Sequence, residues 1–316
     1  MRILQTVLAL AVTMALASPS FAADKFIRIG TSAVGGGFYL IGNTIAQLGQ
    51  AKMAGMNFTA VTGGSLKNCM NLEKGEVEFG IVQSSTLALA VAGEAPFKAP
   101  LKNLRYVTAI YPMPAHIMVR KDAGINSIGD FKGKKVDYGS VGQGFETNTR
   151  EMMSVYGLAD KDLKIERFGR TEFEEAFKIG RTQAQIWATT VPNAQISELI
   201  RTNVITLIGI EPEKAKEILE KFPHYSPAVI PANGYEGLAQ DIHTLGAVGS
   251  LLTRATMPED EVYAVTKMMY ENIEFLKDRM PSYFANFSLE QALAGMGKTE
   301  LHPGAAKFYK EKGLLK

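Results

Sequence analysis

The chain has 316 residues, of which 46% are hydrophobic and 21% charged, with a formal net charge of +2. This composition belongs to a folded globular protein with apolar material for one or two cores, and the near-balance of charge argues against nucleic acid or another large polyelectrolyte as a partner. A single cysteine, Cys69, excludes an intramolecular disulfide; on a predicted helix between Asn68 and Met70 it reads as a small buried hydrophobe rather than a nucleophile.

Residues 1–22 have the three parts of a secretory signal: Met1-Arg2, an apolar run over 3–17, and small residues at Ser20 and Ala22 that place the cut before Ala23. The run is short for a bilayer span, which takes about 20 residues, and Pro19 interrupts it. Without a cysteine at the cut or a twin arginine before the run, the expected product is an unfolded-exported, periplasmic protein with no lipid anchor.

Residues 26–29 read as a half-buried strand. The chain then breaks at Gly30 into a loop holding Gly35, Gly36 and Gly37, and restarts as a helix with Leu40, Ile41, Ile45 and Leu48 on one apolar face. A strand, a glycine loop and a helix start form a recess whose unpaired backbone N–H groups hold an anionic or polar group, which makes Gly37 and Tyr39 candidates. Residues 58–61 are the next strand, and 62–65 a turn with Ser65 placed to cap a helix over 66–74. After the strand at 78–82, Gln83 and Ser84 open another helix. In an open parallel sheet ligands sit past the carboxyl ends of the strands, where these polar groups fall; Ser65 and Ser84 also read as plain helix caps.

Strands at 104–110 and 115–120 flank a break at Pro112-Met113-Pro114, and 127–135 reads as a short helix and a solvated basic turn. The motif Val34-Gly35-Gly36-Gly37-Phe38 is then echoed by Val141-Gly142-Gln143-Gly144-Phe145, after a strand at 135–138 and before a helix at 146–156. Two such loops suggest two lobes, each giving one wall of a cleft. A strand at 165–168, a helix at 171–179 capped by Thr171, and a strand at 184–190 ending in Thr189 and Thr190 follow. A helix then runs from Pro192-Asn193 to Arg201, with a strand at 204–208 after it. Prolines mark an irregular crossing over 223–234; 247–253 is the last strand, 260–276 an amphipathic helix and 280–316 a tail. The alternation is that of an α/β protein with mostly parallel sheets. The economical topology is two-lobed, with 23–115 and 247–316 forming lobe 1, 116–246 forming lobe 2, and the ligand between them.

Catalytic motifs fail residue by residue. Leu40 stands where a dinucleotide fingerprint needs its third glycine, and Asn43 where a phosphate loop needs lysine. His116, His224, His243 and His302 are dispersed, with no metal-ligand spacing, and no G-x-S-x-G elbow presents a serine. No catalytic residue, metal or cofactor is expected. Phe38, Tyr39, Phe145 and Trp187 lie beside the glycine loops or strand ends; Tyr39 and Trp187 also carry donors that a ligand can use.

The segments GGGFYLIGNTIAQ, TGGSLKNCMNLEKGEVEFGIVQSSTLALA, GKKVDYGSVGQGFETN, SPAVIPANGYEG and LHPGAAKFYKEKG occur in this order. Together they resemble the TAXI-type solute-binding receptors of TRAP transporters. The resemblance implies a monomeric periplasmic binding protein of the type II fold, each lobe a mostly parallel sheet flanked by helices. Such a receptor captures a small carboxylate or amino acid, glutamate-like or a dicarboxylate. It delivers the solute to TRAP membrane subunits driven by an ion gradient. Gly37, Tyr39, Ser65, Gln83, Ser84, Gly144, Phe145, Glu146 and Thr147 match the pattern at ligand-binding positions, with Glu146 placed to pair an ammonium. QAQIWATTVPN departs from the family's usual acidic, Phe-rich run and adds Trp187, Thr189 and Thr190 as candidates. A periplasmic sensor or an enzyme using the same cleft is the alternative. Hinges are expected near 111–116 and 244–250.

Overall fold

The computed structural model describes residues 25–141 and 144–316; the secretory signal read over 1–22 lies outside the described residues. β1 (Lys25–Gly30) runs parallel to both β2 (Met56–Val61) and β3 (Phe79–Gln83). Its alternating Ile27 and Ile29 are fully buried against α1 (Gly37–Lys52), which turns Ile41, Ile45 and Leu48 inward. Leu40, expected on that face, is exposed. α2 (Ser65–Lys74) starts from Gly64, so Ser65 is its first helical residue and not its cap; the Ser65 hydroxyl instead accepts from the Gln83 N–H at 3.2 Å. α3 (Ser84–Ala92) follows β3 directly.

β4 (Leu104–Arg120) is one strand of 17 residues where two were expected. Prolines cannot donate to a ladder, yet Pro112 and Pro114 keep their places opposite Val248 and Gly246 of β10 (Ile242–Arg254), in a pairing with register shifts at Gly249/Ser250 and Leu251/Leu252. These two antiparallel strands run through both halves of the molecule. On the far side come β5 (Lys135–Asp137), α4 (Gly144–Val155), β6 (Lys164–Glu166), α5 (Phe173–Lys178) and β7 (Ala184–Ala188). α6 (Ala194–Arg201), β8 (Ile205–Ile208), α7 (Pro212–Lys221) and β9 (Ser226–Ile230) complete that half. The sheet order is β2-β1-β3-β10-β4-β7-β5-β6, with β8 on β4 and β9 on β10. The outer strands are parallel on each side, and the crossing pair is antiparallel to its neighbours.

Several boundaries differ from expectation. Thr171 does not cap α5, whose preceding residue is Glu172. The single helix expected over 260–276 is α8 (Glu259–Glu271) and α9 (Ile273–Arg279), separated at Asn272. α7 and β9 were not anticipated: α7 carries its apolar stripe on only Ala215, Ile218, Leu219 and its C-cap Phe222, of which Ile218 alone is fully buried, and it was passed over although the spacing is helical, while β9 opens on Ser226-Pro227 inside the proline-marked crossing. α10 (Pro281–Phe284) and α11 (Pro303–Glu311) lie in the tail. The tail packs Phe284, Phe287, Phe308 and Tyr309 into the same core as Ile27 and Ile41, and the Tyr309 hydroxyl donates to the Val107 carbonyl at 2.8 Å. A separate core is built from Ala115, Ile117, Phe131, Val136, Ile186 and Ala247. Along β4 the buried side chains pass from one core to the other between Met113 and Ala115.

Candidate functional site

A cavity of about 260 Å³ opens where the carboxyl ends of β1, β3, β5, β6 and β7 converge. On one side it is walled by the loop after β1, the first turn of α1, Ser65 and Gln83; on the other by Ser140, Phe168-Gly169-Arg170, Gln185, Trp187 and Thr189.

The start of α1 contributes backbone. Ser32 accepts the Tyr39 N–H at 3.1 Å and Gly36 accepts that of Leu40 at 3.1 Å. The Gly37 and Phe38 N–H groups have no partner among the described residues, as expected at the first turn of a helix. Glycine is needed at 37 because a Cβ there would stand 2.8 Å from the Tyr283 ring edge and hydroxyl.

Across the cavity lies Arg170, just past the carboxyl end of β6. Its guanidinium carbon is 3.9 Å from the centre of the Trp187 ring, a stacked cation–π contact. The group is half-buried, and burial draws it below the ordinary arginine range although the nearby Tyr111 and Tyr283 hydroxyls act the other way. No carboxylate pairs with it among the described residues. Trp187 is held in turn edge-on by Phe173 at 5.4 Å and tilted against Phe145 at 6.4 Å. On the opposite wall Phe38 meets Tyr111 edge-on at 6.3 Å. The result is an aromatic slot with one cation and several hydrogen-bonding groups.

Two amides are fixed at the cavity wall. Gln83 donates to Asn148 Oδ1 at 2.8 Å and to Ser85 Oγ at 3.1 Å, tying β3 to α4. Gln185 donates at 2.7 Å to Oδ2 of Asp137, a fully buried carboxylate whose Oδ1 accepts the N–H groups of Gly139 at 2.7 Å and Phe168 at 3.0 Å. Desolvation raises Asp137 to about 6, against the pull of those backbone donors. Gln185 Oε1 is buried without a partner among the described residues.

Of the residues singled out from sequence, the fold gathers Gly37, Ser65, Gln83, Phe145, Trp187 and Thr189 at the cavity. Tyr39, Ser84, Glu146, Thr147 and Thr190 are not in its described wall, and Gly144 opens α4 beside it. Ser84 donates to the His224 carbonyl at 3.1 Å and accepts the Val248 N–H at 3.1 Å, a bridge between segments. Glu146, expected to face an ammonium, is taken by Arg167 at 2.8 Å and Arg150 at 2.6 Å; burial alone would raise its carboxyl, but the two guanidinium groups hold it below the usual range. Thr190 turns its hydroxyl to the Pro192 carbonyl at 3.4 Å.

Arg170 and Gln185 were missed. Both were within reach of the rules already applied: Arg170 follows the end of a strand, and Gln185 shares the period-2 face of Trp187 and Thr189. Among the described residues no cluster of His, Cys, Asp or Glu could hold a metal ion, and no helix is long and apolar enough to cross a membrane.

Solved structures of low identity share this architecture. MatC from Rhodopseudomonas palustris with bound malate is 13% identical, with a TM-score of 0.55 over 91% of this chain and 96% of that one. A protein of Bordetella bronchiseptica RB50 is 16% identical, with a TM-score of 0.54 over 92% and 89%. An ancestral arginine-binding protein bound to arginine is 14% identical, with a TM-score of 0.51 over 82% and 98%. The likeness is one of fold, the α/β fold of periplasmic binding proteins. A family model described as the NMT1-like family matches residues 29–313, and the chain belongs to that family.

Proposed function

We propose that this protein is an extracytoplasmic solute-binding receptor, with no catalytic role, that captures a small carboxylate between two lobes and releases it unchanged to a transporter in the membrane. The single observation that carries the reading is Arg170: a half-buried guanidinium, stacked on Trp187 and without an acidic partner among the described residues, faces a cavity bounded opposite by the free N–H groups at the start of α1. An anion in that position gains both a charge-assisted bond and the dipole of a helix start. The aromatic slot excludes water around it.

The finer assignments are part of the same proposal. The ordered motifs favour a TAXI-type receptor working with TRAP membrane subunits, and the solved relatives with malate and arginine bound support a small-molecule cargo in this fold. The lobes are assigned as 23–115 with 247–316, and 116–246; the change of core along β4 between Met113 and Ala115 supports a boundary there, although Ala115 and Ala247 themselves pack into the second core. Thr189, Ser65 and Phe145 line the pocket and are assigned to ligand contact with Arg170 and Gly37.

The test is a thermal-shift and Trp187-fluorescence screen of residues 23–316 against monocarboxylates, dicarboxylates and amino acids, followed by recovery of the bound compound. A ligand at a hundred times its Kd adds about 2.7 kcal/mol of stability, several degrees of midpoint in a protein of this size. A midpoint shift by a carboxylate recovered intact is the expected result. Silence across all carboxylates, or chemical conversion of the one that binds, overturns the reading.

A further inference from the structure

We propose that the cavity accepts a carboxylate whose body carries a neutral hydrogen-bond donor, a hydroxy acid being the simplest, and discriminates against free amino acids and dicarboxylates, because Asp137 locks the Gln185 amide with its oxygen toward the ligand. The proposal rests on the receptor reading above and names the class of solute at the same site.

The polarity of Gln185 follows from chemistry. Asp137 Oδ2 is an acceptor, so the half of the Gln185 amide that meets it at 2.7 Å has to be the NH₂. The other half, Oε1, is then left unpaired in a side chain only 4% exposed that lines the cavity. An unmet buried acceptor is costly until a donor reaches it. Asp137 in turn is held by two backbone N–H groups on its other oxygen, so it has no freedom to present a different face. On the opposite wall the Gln83 amide lies against Asn148 and Ser85, side chains that both donate and accept, so Gln185 is the amide whose polarity an obligate acceptor sets.

The cavity therefore offers one cation, the free N–H groups at the start of α1 and the amide oxygen of Gln185. One carboxylate is matched by Arg170 together with those N–H groups. A second carboxylate would set its oxygens against the Gln185 amide oxygen, acceptor to acceptor. An ammonium would find acceptors but no negative charge: no Asp or Glu is in the described wall, and Glu146 is held by Arg150 and Arg167. It would also share a cavity of about 260 Å³ with an arginine. A hydroxyl donates to the Gln185 amide oxygen without adding charge.

The experiment uses two matched series on the mature chain, read by calorimetry: butanoate and 3-phenylpropanoate, each unsubstituted and in hydroxy, oxo and amino forms, with succinate and glutamate alongside. In the wild type the best hydroxy form is expected to bind at least tenfold tighter than its unsubstituted, oxo and amino analogues and than either diacid. The variant Asp137→Asn keeps the acceptor for the Gly139 and Phe168 N–H groups, places an NH₂ against Gln185 and turns that amide over, so its NH₂ faces the ligand. There the hydroxy preference over the oxo analogue is expected to fall at least tenfold; circular dichroism verifies its folding, and the wild-type series stands even if the variant fails to fold. Carboxylates that bind with no preference for the hydroxy form, or with an amino acid or diacid preferred, overturn this inference and leave the receptor reading in place. No binding by any carboxylate removes both.

Discussion

Replacing Arg170 by methionine separates the ligand's charge partner from its scaffold. Methionine keeps an unbranched apolar stem over the Trp187 ring, which the guanidinium now covers at 3.9 Å, and removes only the cation. A hydrogen bond to a charged group contributes roughly 1.5–3 kcal/mol. At 1.4 kcal/mol per factor of ten, the Kd for a bound carboxylate is expected to rise about 10- to 100-fold. The unliganded protein behaves differently. Removing Arg170 relieves a desolvated charge with no carboxylate partner among the described residues, but forfeits a cation–π contact of about 0.5–2 kcal/mol. The two effects oppose each other, so the unliganded midpoint is expected to move by only a few degrees. Trp187 is the sole tryptophan, so its emission reports the slot directly. Titration of wild type, Arg170→Met and Arg170→Lys with the carboxylate found in the screen gives the answer. The lysine variant is expected to fall between the others, since it keeps the charge and loses the planar fork. An Arg170→Met protein that binds the carboxylate with wild-type affinity refutes the reasoning.

Three further outcomes follow from the same geometry. Because burial raises Asp137 to about 6 in the folded chain, against about 3.9 unfolded, the native state holds a proton that the unfolded state has lost between pH 4 and 6. This contribution is fully present below about pH 4, is lost as pH rises through 6, and is flat above; urea melts of wild type against Asp137→Asn are expected to differ by an amount that changes by roughly 2–3 kcal/mol over that window, and a pH-independent difference contradicts the assignment. Gly139→Ala forces a side chain onto a residue with φ of +66° and puts its Cβ 1.8 Å from the Phe145 ring; a loss of at least about 1–2 kcal/mol together with weaker binding is expected, and wild-type stability speaks against the wall geometry. Ser84→Ala removes the link between the His224 carbonyl and the Val248 N–H, so denaturant unfolding is expected to lose about 1–3 kcal/mol with Kd unchanged. A tenfold affinity loss at constant stability would return Ser84 to the ligand.

The strand-and-helix alternation, the start of α1 and the return of the tail were legible because they are local: period-2 and period-3.6 patterns broken by glycine are written in adjacent residues. The proline break was misread for the same reason. Pro112 and Pro114 look like punctuation in sequence, but β10 lies alongside and the strand passes through them without the missing N–H groups. The ligand wall divides along a similar line. Gly37, Ser65 and Gln83 lie at strand-to-helix junctions, and such junctions announce themselves. Arg170 shares that strand-to-helix position, but what singles it out comes from what stands opposite, Trp187 on another strand and no carboxylate anywhere in the described wall. Glu146 shows the converse. It had the right place at a helix start, yet Arg150, four residues on along its own helix, and Arg167, beyond β6, claim its charge.

That contrast bears on how the proposed receptor would discriminate. Charge at this cavity is decided by pairs that the sequence scatters: a carboxylate is neutralised at Glu146, an arginine is left unneutralised at Arg170, and a third ionisable group, Asp137, acts without touching the ligand by fixing which end of Gln185 does. The contributing residues sit on both sides of the crossing strands β4 and β10, so the complete set of partners exists only when the two halves are together. On the receptor reading proposed above, affinity and closure are the same equilibrium viewed twice: a solute that meets only one wall gains nothing from closing, and one that satisfies Arg170, the start of α1 and the Gln185 amide oxygen stabilises the closed arrangement by the whole of that difference.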